Sequence, residues 1–291
     1  MSERDGYQHG VPCWVDTWQP DAEAAVAFYQ ELFGWEAEDT MPDGVPGKHY
    51  ICRLRGRDVA AVASRPEEAP PLMRGRTAGE AEERPVSSWT TYVWVEDAEG
   101  TVQRAIEAGG SVLKDLFESL DGGRIAIVAD PAGAALGIWQ PGGHKGAQLV
   151  NEPGAYAMSS LVTDHAEGSK RFYAHVFGWD TETFGLGGDE MVMWTLPGYV
   201  GGEPQQPVTR EVVATMAPGI SPSEAELPPR WNVDFWVKDA DGAAAKTAEL
   251  GGRVLTGPYD IPSAGMKQAV IADPQGATLS LTQPPGLAAG A

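Results

Sequence analysis

One segment of the chain occurs twice. Cys13 to Trp35, CWVDTWQPDAEAAVAFYQELFGW, returns at Met158 to Trp179 as MSSLVTDHAEGSKRFYAHVFGW, and the step from Phe28 to Phe172 and from Trp35 to Trp179 is 144 residues. Later segments repeat in the same order. Trp89–Val95 corresponds to Trp231–Val237, EAGGSVL (107–113) to ELGGRVL (249–255), and ADPAGAALGIWQP (129–141) to ADPQGATLSLTQP (272–284). A chain of 291 residues built this way is two copies of one domain.

Within a copy the pattern is strand, helix, then three strands, run through twice. Val11–Trp18 is strand-like. Asp21 can cap the following helix by accepting from a free N–H of its first turn. Ala25, Phe28, Tyr29 and Leu32 then fall on one face, and Gly34 ends the helix. In the second copy Ser169, Phe172, Tyr173 and Val176 give the same face. Short strands are expected at Trp35–Glu38, His49–Leu54 and Val59–Ala63. Trp89–Val95 is the next strand, Ala98–Ala108 the second helix, and Asp130-Pro131-Ala132-Gly133 the turn before the last strand. The fold class is therefore α+β, with each domain made of two βαβββ modules. One helix per four strands covers one sheet face, helices lie on the outer side, and the other face curves into a cup. The expected boundaries are a loose tail at 1–10, a first domain at 11–141, a linker at 142–154, a second domain at 155–285 and a tail at 286–291. Pro-rich connectors fall at 66–87 and 217–230.

Composition excludes some functions. A net charge of −20 disfavours nucleic-acid binding, which needs basic surface to displace counterions. No apolar run reaches the length of about 20 residues that a membrane span needs. MSERDGYQHG has no signal-peptide pattern, so a cytoplasmic location is expected. Cys13 and Cys52 cannot form a disulfide framework and read as small buried residues. The sequence has no GxSxG, GxxxxGK[ST], CxxC or HExxH motif and no GxGxxG opening a helix.

The Trp14–Trp35 pattern W-x-D with F-Y and F-G-W, the V-x-D before the second helix at Val95–Asp97 and Val237–Asp239, and the D-P-x-G turns at 130 and 273 resemble the vicinal oxygen chelate superfamily. That group includes glyoxalase I, bleomycin-resistance proteins and extradiol dioxygenases. Within it the chain is similar to tandem two-domain glyoxalase-like proteins of actinobacteria, often labelled "hydroxylase". The resemblance covers about residues 10–285. It implies a divalent metal held by His and Glu from the first, fifth and last strands of a domain. Those positions carry Trp14, Thr90 and Gly137 in the first copy and Met158, Asn232 and Ser280 in the second. Divalent metals want imidazole, carboxylate or thiolate, so no metal and no other cofactor is expected.

Strand alternation places Trp14, Asp16, Thr90, Tyr92, Trp94, Gly137 and Trp139 in the first cup. It places Met158, Ser160, Asn232, Asp234, Trp236, Ser280 and Thr282 in the second, with His49 and Trp194 on the far walls. The candidate ligand-binding residues are thus Met158, Ser160, Trp194, Asn232, Trp236, Ser280, Thr282, Trp14, Tyr92 and Trp139, and Asp234 is the candidate catalytic group. Bulky rings at 14 and 139 can fill the first cup, whereas Met158 and Ser160 leave the second roomier. The leading expectation is a protein that binds a hydrophobic aromatic or quinone-like small molecule, such as an antibiotic or secondary metabolite, for sequestration or resistance. Three alternatives stand beside it: a metal-free isomerase, cyclase, lyase or hydroxylase-type enzyme on a polyketide-like substrate using Asp234; a metal-dependent glyoxalase or dioxygenase; and a regulatory protein with both cups filled. Monomer and homodimer are both compatible with the sequence.

Overall fold

The computed structural model describes residues 3–64, 87–119, 122–186, 189–201, 211–217, 228–262 and 264–286. Most of both Pro-rich connectors lies outside them. The elements of the first copy are β1 (Pro12–Gln19), α1 (Ala22–Phe33), β2 (Glu36–Asp39), β3 (His49–Leu54), β4 (Arg57–Ser64), β5 (Ser88–Trp94), α2 (Ala98–Glu107), β6 (Ser111–Glu118), β7 (Arg124–Ala129) and β8 (Ala135–Gln140). The second copy follows with β9 (Tyr156–Val162), α3 (Ala166–Phe177), β10 (Asp180–Leu186), β11 (Asp189–Thr195), β12 (Val212–Ala217), β13 (Arg230–Trp236), α4 (Ala240–Glu249), β14 (Arg253–Ile261), β15 (Met266–Ala272) and β16 (Thr278–Gln283).

The copies form two mixed sheets of eight strands each, ordered β2-β3-β4-β1-β5-β8-β7-β6 and β10-β11-β12-β9-β13-β16-β15-β14. Modules join through an antiparallel pair at the sheet centre, β1 with β5 and β9 with β13. The predicted helix signals hold. Asp21 Oδ1 accepts from Ala24 N at 2.9 Å, and Gly34 and Gly178 close α1 and α3 in the left-handed region, each at φ +74°.

The helices lie on the sheet face away from the cups, and that face is turned inward against the other domain. Phe33 of α1 meets Phe235 of β13 with ring centroids 4.9 Å apart. The recurring motif residues make the joint. Trp89 Nε1 donates to Tyr29 Oη (3.0 Å), and Tyr29 in turn donates to Oδ2 of Asp273 (2.8 Å), the first residue of the second domain's D-P-x-G turn. Gln19 Nε2 donates to the same oxygen at 2.8 Å. The pseudo-symmetric chain runs from Trp231 Nε1 to Tyr173 Oη (2.9 Å) and on to Asp130 Oδ2 (3.4 Å), with Ser169 Oγ donating to that oxygen at 2.9 Å. Each domain's first helix is thus hydrogen-bonded to the other domain's last turn, through groups that burial would otherwise leave unsatisfied.

The tail and linker are more ordered than the sequence suggested. Tyr7 Oη donates to Ala147 O at 2.6 Å, Glu3 bridges Leu149, and the two F-G-W tryptophans anchor the segments, Trp35 Nε1 on Gly154 O and Trp179 Nε1 on Gly10 O, both at 2.7 Å. Ala147, Leu149 and Val150 of the linker are buried. Cys13 and Cys52 are free and buried, and burial pushes the Cys52 thiol up to about 12. No helix among the described residues is long and apolar enough to cross a membrane.

Candidate functional site

Strand register fixes one row of side chains across the floor of each cup. In the first sheet Trp14 stands opposite Tyr92, which is level with Gly137 on β8. In the second Met158 stands opposite Asp234, level with Ser280. Thr90 and Asn232 lie two residues further along, opposite Asp16 and Ser160. The fifth-strand residue in the row is therefore Tyr92 or Asp234.

The first cup is filled by its own rings. Trp14 meets Trp139 edge-on at 5.9 Å and His144 at 4.5 Å, and His144 stacks on Trp139 at 5.3 Å. Tyr92 lies edge-on to Trp139 at 5.7 Å. The ring of Tyr92 occupies the space that a side chain at position 137 would take, since a Cβ on Gly137 would lie 2.1 Å from Tyr92 Cδ1. Below the rings sits Asp16, whose Oδ2 accepts from Tyr92 Oη (2.8 Å) and Trp18 Nε1 (3.0 Å) while Oδ1 is buried without a partner. Burial pushes the Asp16 carboxyl up to about 7, against the pull of those two bonds and of Lys114. Lys114 Nζ lies 4.2 Å from the Phe117 ring centroid and 5.2 Å from that of Trp18, a cation resting on the aromatic rim. Gly137→Ala is expected to displace Tyr92 and release Asp16, lowering stability by about 2–4 kcal/mol as overpacking and a lost buried bond combine. Urea unfolding measures the loss, and a cost under about 0.5 kcal/mol would contradict the packing described.

The second cup has a polar floor and an accessible rim. Asn232, Asp234, Ser280 and Thr282 are buried, while Met158, Ser160 and Trp236 are half-buried. Asn232 Nδ2 donates to Ser280 Oγ at 2.6 Å, and Ser160 Oγ lies 2.5 Å from Thr215 Oγ1. A second chain runs from the half-buried Tyr259 Oη to Gln268 Oε1 (2.6 Å) and from Gln268 Nε2 to Thr282 Oγ1 (2.8 Å). Thr282 hydrogen-bonds the Asp234 carboxyl; burial outweighs that bond and pushes Asp234 up to about 7. Asp234 Oδ1 is buried without a partner. This cup therefore holds a carboxyl poised between protonated and ionised states at neutral pH, with one oxygen buried and without a hydrogen-bond partner.

Ten of the eleven candidate residues lie on cup faces. Trp194 does not. It is fully buried among Tyr173, Trp179 and Trp231, with ring centroids 5.2, 5.7 and 5.5 Å away, on the helix side of β11. Its neighbour Met193 pairs with Thr215, which pairs with Ser160, so Met193 is the residue of β11 that faces the cup. The facing of β11 could not be read from sequence because MVMW is apolar at every position. His49 lies on the cup side of β3, opposite Ala63, with Nδ1 2.8 Å from Thr40 Oγ1. Sequence reasoning missed His144, which the linker carries into the first cup, and Lys114, Gln268 and Tyr259. Lys114 and Tyr259 belong to strands with irregular register, where alternation gives no reliable facing, whereas Gln268 pairs in regular register with Thr282 and shares its face.

The donor sets do not fit a divalent metal. The rows offer indole, phenol and no side chain in one cup, and thioether, one carboxylate and hydroxyl in the other. His144, the imidazole of the first cup, has its Nε2 3.4 Å from Asp58 Oδ2. Among the described residues no group of three or more His, Cys, Asp and Glu could hold a metal ion.

A tandem pair of βαβββ-built cups with helices behind the sheets defines a glyoxalase-type scaffold. Residues 14–138 match the Glyoxalase/Bleomycin resistance protein/Dioxygenase superfamily and residues 159–282 a Glyoxalase-like domain, and the chain belongs to this superfamily. It is 37% identical over 286 residues to a protein of Mycobacterium tuberculosis named "Putative glyoxylase CFP32", covering 98% of both chains. It is 33% identical over 274 residues to "Anthracycline biosynthesis protein DnrV" of Streptomyces peucetius, covering 94% of this chain and 93% of that one. Among solved structures, the Mn(II)-bound glyoxalase from Novosphingobium aromaticivorans shares the fold at TM-score 0.59 and 15% identity, over 95% of this chain and 82% of that one.

Proposed function

We propose that the second cup binds a flat, largely apolar aromatic molecule carrying a carbonyl or quinone oxygen, without a metal ion. The observation that carries this reading is Asp234: a buried carboxyl raised to about 7, with one oxygen unpartnered, on the floor of a cup whose rim holds Trp236 and Met158. In its protonated form Asp234 donates to a ligand oxygen. Trp236 supplies a ring face, and Met158 supplies a polarizable surface that adapts to ligand shape. The relatives named for anthracycline biosynthesis support a polycyclic aromatic ligand.

The two cups provide the test. Met158→Trp places in the second cup the residue that helps fill the first. With fluorenone as a neutral flat ketone, equilibrium dialysis is expected to show binding to the natural chain and a loss of about tenfold or more in the variant, equivalent to about 1.4 kcal/mol. Equal binding by both proteins overturns the assignment of the cup.

A second reading treats the same carboxyl as a proton-transfer group in a metal-free isomerase, cyclase, lyase or hydroxylase-type enzyme, because a group near neutral pKa can both take and give a proton. Recovery of a chemically altered ligand favours it; recovery of unchanged ligand favours binding alone.

A further inference from the structure

We propose that the seam between the N-terminal segment, the interdomain linker and the second domain is a separate binding site for a small aromatic anion, such as an aromatic carboxylate. The seam holds an open cleft of about 490 Å³, within the range of small-molecule sites. Arg4 and Lys145 bring two cations to it, Tyr7, Trp94 and Tyr199 bring three rings, and Asp5 is the carboxylate in its lining. This is a local reversal of sign in a chain of net charge −20.

Two further features point to an anionic occupant. Arg4 Nε is buried and without a hydrogen-bond partner. Among the described residues, no carboxylate pairs with the Arg4 guanidinium. A planar guanidinium with no carboxylate paired to it among the described residues suits a carboxylate ligand, which accepts two parallel bonds from such a fork. The rings are set for an aromatic body. Tyr7 and Trp94 stand with centroids 6.1 Å apart at 41°, and Tyr7 is fixed by its bond to Ala147 O. Burial raises the Tyr199 hydroxyl above its ordinary range, so it stays a neutral donor that does not repel an anion.

The site needs residues from the N-terminal tail, from the end of β5 (Trp94), from the linker (Lys145) and from the segment after β11 (Tyr199), so neither half of the chain has it alone. A narrow extension of about 50 Å³, lined by Arg4, Tyr7 and Tyr199, reaches Tyr156 and Met158. Asp234 lines neither space. The carboxyl that carries the reading of the second cup thus takes no part in the seam site, although Met158 of that cup's rim lines the narrow extension.

Titration calorimetry on the full chain decides it, with naphthoate as the anionic probe and naphthyl methanol as its neutral relative. Naphthoate is expected to bind one site about tenfold or more tightly than the alcohol at low salt, and to weaken as salt is added. Arg4→Gln is expected to remove about tenfold of the naphthoate affinity, and Arg4→Lys, which keeps the charge but not the fork, part of it. Trp94→Leu removes the ring platform without touching charge, is expected to cost a similar factor, and carries the test if Arg4→Gln does not fold. Failure of naphthoate to bind, equal affinity for the two probes, or unchanged affinity in the folded Arg4→Gln or Trp94→Leu protein overturns the proposal. Displacement of naphthoate by saturating fluorenone also overturns it, because the probe would then occupy the cup; failure of fluorenone to bind bears only on the cup.

Discussion

Asp273→Ala is expected to lower the stability of the whole chain by about 3–5 kcal/mol, because several buried donors lose their acceptor at once and an unsatisfied buried group costs about 1–3 kcal/mol. Tyr29 Oη and Gln19 Nε2 both give their hydrogen bonds to Oδ2, and the turn's own Gln275 N and Ala277 N give theirs to Oδ1. Two of these donors belong to the first domain, so the substitution loosens the joint and the turn together. Tyr29→Phe removes one bond and keeps the ring, and is expected to cost about 1–2 kcal/mol. Asp130→Ala is the pseudo-symmetric change. It is expected to cost less than Asp273→Ala, since the Tyr173 bond there is stretched to 3.4 Å and Ser169 contributes one hydroxyl in place of an amide. Chemical denaturation followed by tryptophan fluorescence measures all three. A change below about 1 kcal/mol for Asp273→Ala would show that the joint is held by apolar packing alone.

The joint also shows what a sequence can and cannot say. The residues Tyr29, Trp89 and Asp130, with their copies Tyr173, Trp231 and Asp273, were all visible as repeating motif positions. Repetition showed that they matter to the scaffold. It could not show that Tyr29 reaches Asp273 rather than Asp130, because both pairings obey the same periodicity. The choice is made by the packing of two helical faces against each other, a long-range property that no local pattern encodes. Facing within the strands was legible where polar and apolar residues alternate or where glycine intrudes, as along β13 and β8. It failed at Trp194, in a strand apolar on both sides, and at the bulged strands that carry Lys114 and Tyr259. His144 was hidden for a different reason. A Gly-rich linker reads as solvent-exposed chain, yet Ala147 and Leu149 pin it to the first sheet and place its imidazole against Trp139.

The contrast between the cups follows from a few exchanges at matched positions. Where the first copy has Trp14, Asp16, Tyr92 and Gly137, the second has Met158, Ser160, Asp234 and Ser280. The acid moves from the first strand of the cup to the fifth. In the first cup that acid is covered by rings and held by Tyr92 and Trp18. In the second it is equally buried, bonded to the Thr282 hydroxyl, beneath a rim where Met158, Ser160 and Trp236 are half-buried. One scaffold thus yields an aromatic-filled half and a half with a polar floor, with no change in strand order.

The affinity of the second cup for a neutral carbonyl ligand is expected to fall about fivefold from pH 7 to pH 8 and about fiftyfold by pH 9, because only protonated Asp234 can donate to the ligand oxygen. The sign follows from the raised pKa. Burial holds the folded carboxyl at about 7 against an ordinary 3.8, so the free protein keeps about half of its donor near pH 7, about a tenth at pH 8 and about a hundredth at pH 9. Fluorenone does not titrate in this range, which leaves the protein as the source of any change. Asp234→Asn keeps a donor on the same stem and cannot ionise, and is expected to bind with little dependence on pH. The same shift acts on stability in the absence of ligand. The folded state holds the Asp234 proton more tightly than the unfolded chain, so this contribution is present in full below about pH 4 and is lost as pH rises through about 7. Asp16 adds a loss of the same sign over the same window. Thermal unfolding between pH 5 and 8 is therefore expected to show a shallower fall in the Asp234→Asn protein than in the natural chain. A flat binding profile in the natural chain would exclude a protonated Asp234 as the donor, and a profile equally steep in the Asn variant would place the titrating group elsewhere.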